Sequence, residues 1–227
     1  MADASTNPQL LRSLGRLARG LSALFWGMPA ALLICVQTAR ADWLKPLGFL
    51  PALGVTGLLI YGLWQMGDFQ KQERPWRAAL DRTLLMAWVL FGFCPFIYWH
   101  NKVPDQMFFA YVVRLLELAS VLFLFNLNLL LKQLGSMLPD ETLRNETRQF
   151  TALNRWLLVM LLLFAIISVS LLEIPHPSLN VGRVLNLLNQ ASGLLLIFFI
   201  LLPLAMTMAL IWKTKEVILD AVFGARS

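Results

Sequence analysis

QMFFAYVVRLLELASVLFLFNLNLLL, residues 106–131, is apolar over the length of a membrane span and carries one cation, Arg114, and one carboxylate, Glu117. About 20 residues rising 1.5 Å each cross the roughly 30 Å of hydrocarbon in a bilayer, so the stretch is long enough to span. A charge in that setting is costly and must be covered by protein or by a partner. Arg114 and Glu117 are three apart, neighbours on one helical face, and the face continues through Val121 to Asn128. The sequence therefore predicts a transmembrane helix with a polar stripe.

Five more apolar stretches of similar length flank it, giving six in all: about 20–39, 47–66, 83–99, 106–131, 156–174 and 184–212. The basic residues between them alternate. Fourteen of the 19 Lys and Arg lie in the N-terminal segment, the second and fourth loops and the tail; Arg40, Lys45, Lys102 and Arg183 lie in the others, and Arg114 lies inside a span. Basic residues stay on the cytoplasmic side, so both termini are expected there. The same alternation absorbs the net charge of +6. The excess sits beside helix ends facing anionic lipid, without the interleaved aromatics of a nucleic-acid surface, so nucleic acid is not an expected partner. At 58% apolar and 14% charged, the chain is not an ordinary soluble domain, and its connections are too short to fold as one. Cys35 and Cys94 fall inside predicted spans and read as small buried hydrophobes.

The first span has a rival reading. Arg12, Arg16 and Arg19 precede an apolar run that ends in Ala39-Arg40-Ala41, the pattern of a secretory signal peptide. Cleavage after Ala41 would leave five spans. Internal recurrence favours a retained helix. ALDRTLL at 79–85 returns as ALNRWLL at 152–158, and LLELAS at 115–120 returns as LLNQAS at 187–192. Pro29 follows Arg16 by 13 residues, as Pro95 follows Arg82. The expected architecture is all-α: one transmembrane domain over residues 1–227, with six helices in three tandem hairpins, 10–70, 75–137 and 148–215. Chance recurrence in a leucine-rich chain is the competing explanation. Parallel repeats of this kind keep one orientation.

Each hairpin would open with an amphipathic elbow at the cytoplasmic interface. PQLLRSLGRLARGL sets Leu10, Leu14, Leu17 and Leu21 on one face and its arginines near the other. Thr151 or Asn154 is expected to cap the fifth span, and Pro139-Asp140 to start a short helix before it. Pro29, Pro51, Pro95 and Pro203 would each break a backbone bond within a span. Most tryptophans, Trp64 and Trp76 among them, fall near span ends, where an aromatic belt is expected.

Two polar stripes carry the site expectations. The first is Arg114, Glu117 and Asn128. The second is Asn186, Asn189 and Gln190 in the sixth span, which the recurrence aligns with the first. Facing each other, they would line a pathway or bind helices together; interhelical hydrogen bonds of this kind contribute about 0.6 kcal/mol each. His100 and His176 lie at the outer face, near Asp105 and Glu173, without the i,i+4 spacing of a helical metal site. They read as interfacial histidines before they read as ligands, and no metal or cofactor is expected. The motifs of hydrolases, zinc proteases and nucleotide-binding loops are absent from the sequence. The expected function is a non-enzymatic subunit or scaffold in a bacterial inner membrane, packing with partner membrane proteins or with itself. The alternative is a small channel or transporter using the two stripes. A lipid-modifying enzyme ranks below both.

Overall fold

The computed structural model describes residues 8–40, 45–70, 72–137, 141–172 and 200–220. It is all-helical over these residues. The helices are α1 (Pro8–Arg40), α2 (Leu50–Met66), α3 (Arg74–Phe93), α4 (Pro95–Lys102), α5 (Met107–Met137), α6 (Glu141–Leu172) and α7 (200–220). Three helical stretches among the described residues are long and apolar enough to cross a membrane: Arg12–Thr38, Arg74–Lys102 and Met107–Met137. Leu50–Met66 is a shorter apolar helix. The chain is therefore a membrane protein with at least these three candidate spans.

The elbows differ from expectation. α1, α3 and α6 each run without interruption from the arginine-rich segment into the apolar one. Ending a helix at the interface would leave four carbonyls to satisfy and require a second nucleation, so continuation is favoured where no residue forces a stop. For the same reason Thr151 and Asn154 are interior residues of α6 and not caps. Pro51 stands in the first turn of α2 and Pro95 begins α4, positions where the missing N–H costs nothing. Pro29 lies inside α1 and Pro203 inside α7. At Cys94 the backbone stays helical, its N–H donating to Leu90 and its carbonyl accepting from Ile97, so α3 and α4 form one continuous candidate span.

α1 and α2 are antiparallel: Gly20 meets Gly62, and Gly27 meets Leu59. A Cβ on Gly20 would lie 2.6 Å from the Gly62 carbonyl oxygen, so the two backbones touch there. Leu17, Leu21, Leu24 and Met28 of α1 and Leu59, Leu63 and Met66 of α2 are buried in the same core. α2 in turn packs on α3 through Gly57 against Phe91 and Thr56 against Cys94. The C-terminal end of α1 is tied to α4 by Asn101 Nδ2, which donates to the Thr38 carbonyl at 3.1 Å. α5 packs against α3 and α4 on one side and α6 on another. Trp76 departs from the belt expectation: it is fully buried, edge-on to Phe69.

The recurrence does not place its copies on the same face. Asp81 of ALDRTLL is exposed, whereas Asn154, its counterpart in ALNRWLL, is buried. The buried positions are Leu80, Thr83, Ala87 and Leu90 in α3 and Thr151, Asn154, Leu158 and Leu161 in α6. Those two sets match on an offset two residues shorter than that of the recurring motif. Two residues turn a helix by about 200°, which carries a side chain to the opposite face.

Candidate functional site

Asn128 lies two-thirds of the way along α5 and is 2% exposed. In a hydrocarbon setting its amide must find protein partners. It finds them on two other helices. Asn128 Nδ2 donates to the Leu124 carbonyl at 2.8 Å and to Thr207 Oγ1 at 3.0 Å. Asn154 Nδ2 donates to Asn128 Oδ1 at 2.9 Å and to Thr207 Oγ1 at 3.0 Å, and lies 3.2 Å from the Pro203 carbonyl. Thr207 Oγ1 donates its own proton to that carbonyl at 2.7 Å. One residue from each of α5, α6 and α7 thus closes a buried polar knot.

The knot sits on a longer stripe of α6. Thr147, Thr151, Asn154, Leu158 and Leu161 are all buried and spaced 4, 3, 4 and 3, the seam of a packed helix. Gly135 of α5 allows close approach at its start: a Cβ there would lie 3.1 Å from the Thr147 methyl. Three atoms on this stripe, Thr147 Oγ1, Thr151 Oγ1 and Asn154 Oδ1, are buried without a hydrogen-bond partner.

The N-terminal half of the α5 stripe is arranged differently. Arg114 lies over the Tyr111 ring, 5.8 Å from its centroid, and no ion pair joins it to Glu117. Glu117 is exposed, on the side of α5 away from the buried Val112, Leu116 and Ala119. The stripe read from the sequence therefore divides: Asn128 is enclosed and bonded, while Glu117 faces outward. Asn186, Asn189 and Gln190, expected opposite it, lie outside the described residues, as do His176 and Glu173.

His100 is half-buried in the last turn of α4, its Nδ1 without a hydrogen-bond partner, and Asp105 is exposed. No group of His, Cys, Asp and Glu among the described residues is placed to hold a metal ion. Cys35 and Cys94 are both free thiols, Cys94 buried against Thr56 at 3.6 Å.

Sequence reasoning missed Asn154 and Thr207 as members of the knot. The signal was present: Asn154 continues the heptad spacing of Leu158 and Leu161, and Thr207 that of Pro203, Ile211 and Thr214. Polar residues in register with leucines mark a buried seam, whatever capping role they also fit. Compared with protein-family models, curated proteins and solved structures, the chain matches none.

Proposed function

We propose that the chain is a non-enzymatic subunit of a membrane assembly, docking another transmembrane helix on the N-terminal half of α5. The observation that carries this is Glu117: a carboxylate near the middle of an apolar span, exposed, with no ion pair to Arg114 three residues away. Leaving it in lipid costs at least ~2.5 kcal/mol on insertion scales, which a donor on a docked helix removes. Tyr111 and Leu115, both exposed on the same half of α5, add apolar area to that face. The basic-residue alternation supports cytoplasmic termini and six spans in three hairpins, 10–70, 75–137 and 148–215, and the Leu/Ala/Arg-rich composition supports a bacterial inner membrane. The partner is another membrane protein or a second copy of this chain.

The test is the mass of the native particle, extracted in mild detergent and measured by light scattering. We expect a complex or homo-oligomer that Glu117→Leu dissociates at unchanged expression. A wild-type monomer without a stoichiometric partner would overturn the reading.

One observation favours a second reading, a narrow polar pathway. Thr147, Thr151 and Asn154 present three unpartnered oxygens along one buried face of α6, a geometry that suits a file of ordered water. Reconstituted vesicles decide it: solute or water flux abolished by Asn154→Leu at normal protein level supports a pathway, and flux equal to that of empty vesicles sinks it.

A further inference from the structure

On the N-terminal side of Gly20, α1 and the end of α2 enclose a polar cleft. α1 runs on to Arg19 and Arg16, and α2 ends in the turn holding Gln65, Gly67 and Asp68. The cleft between them is a cavity of about 500 Å³ lined by Arg16, Arg19, Trp64, Gln65, Gly67 and Asp68. Its charges do not cancel. Arg16 Nη1 is paired with Asp68 Oδ2, which occupies one cation and the carboxylate. Arg19 bonds through Nε to the Gly15 carbonyl of its own helix, at 3.3 Å, and makes no ion pair among the described residues. The lining thus carries one net positive charge, and the guanidinium fork of Arg19 suits phosphate oxygens.

A second cavity, of about 400 Å³, lies on the other side of Trp64. It is an apolar groove between Gly57, Ile60 and Tyr61 of α2 and Leu84, Trp88 and Phe91 of α3. Trp64 is the wall common to both cavities and is 71% exposed, as an indole at headgroup level would be. Tyr61 and Gln65 form a second link, the Gln65 amide donating to the Tyr61 hydroxyl at 2.8 Å. From Trp64 to Gly57 the groove runs seven residues into the span, about 10 Å at 1.5 Å per residue.

A cationic pocket at the arginine-rich end of two helices, continuing past an interfacial tryptophan into an apolar groove, has the chemistry of a phospholipid. We propose that α1, α2 and α3 form a binding site for one net-anionic phospholipid, its phosphodiester at Arg19 beside the Arg16–Asp68 pair and one acyl chain in the groove beside Gly57. Net charge selects the headgroup. Asp68 is held by Arg16, so an ammonium gains no free carboxylate, while a monoanionic head neutralises the remaining cation. Exposed juxtamembrane Lys and Arg attract anionic lipid without a site; the groove is what makes this one stoichiometric.

Native mass spectrometry of the full-length protein tests this with lipids of identical acyl chains. We expect one phosphatidylglycerol retained at least five-fold more than phosphatidylcholine or phosphatidylethanolamine. In Arg19→Gln that preference should fall to parity. In Gly57→Leu, retention of every lipid should fall at least five-fold, with helix content unchanged by circular dichroism. Arg19 is exposed, and a Cβ on Gly57 meets nothing closer than Phe91 at 3.8 Å, so both variants should fold. The headgroup comparison on the wild-type chain needs no variant. Equal retention of the three lipids overturns the proposal, as does a preference for phosphatidylethanolamine. So does displacement of phosphatidylglycerol by millimolar inorganic phosphate, which would assign the pocket to the free ion.

Discussion

The α1–α2 junction and the α5–α6–α7 junction solve one problem in two ways. Lipid offers helices no hydrophobic drive to associate, so contact must come from close packing or from polar bonds. α1 and α2 use packing: glycines at 20 and 62 bring carbonyl against backbone, and leucines and methionines fill the flanks. α5, α6 and α7 use polar bonds: the amides of two asparagines donate to the Thr207 hydroxyl, and that of Asn154 also to the Asn128 carbonyl, inside the bundle. Packing is intolerant of added volume and indifferent to polarity. The knot tolerates volume better and fails when a partner is lost.

That contrast can be broken most sharply at Gly20. Gly20→Leu drives side-chain carbons into the Gly62 carbonyl, which cannot move aside, and should cost ~3 kcal/mol or more. The check is thermal unfolding in detergent, followed by loss of the monodisperse peak. Asn154→Leu comes next. It strips the buried Asn128 carbonyl of its Asn154 donor and should cost about 1–2 kcal/mol by the same assay. Adding Asn128→Leu should recover part of that, since replacing both polar partners removes the orphan. Thr207→Val keeps the shape and deletes the hydroxyl on which both amides converge, at a cost of about 1 kcal/mol. Gly135→Ala meets only the Thr147 side chain, which can shift a few tenths of an ångström, so about 0.5 kcal/mol is expected. If it matched Gly20→Leu, the two junctions would be packed alike. Arg16→Ala is the mildest: its ion pair with Asp68 is half-exposed and should contribute about 0.3 kcal/mol, less in high salt.

Much of the fold was legible in the sequence where one physical rule acts on one segment. Arg74–Lys102 and Met107–Met137 announce themselves by length and hydropathy, which depend on no neighbour. Helix boundaries were less legible. Thr151 and Asn154 carry side chains that cap helices as readily as they bond across a seam, and only the packing of α5 against α6 selects between those uses. The candidate site was half legible. Asn128 stood out as a polar residue in an apolar span, and it is buried. Its partners did not stand out, because Asn154 sits beside Arg155 in a segment that reads as interfacial.

By itself, the sequence determined that this chain is helical and that its helices are apolar enough to enter a membrane. Each follows from the cost of placing backbone amides and charges in hydrocarbon, a cost paid locally and therefore written locally. Only the tertiary structure decided that Asn128 is enclosed by Asn154 and Thr207 while Glu117, eleven residues away on the same stripe, faces outward. Eleven residues are three helical turns, so α5 presents the two side chains in nearly one direction. Their fates differ because, among the described residues, α6 and α7 cover Asn128 while Glu117 stays exposed.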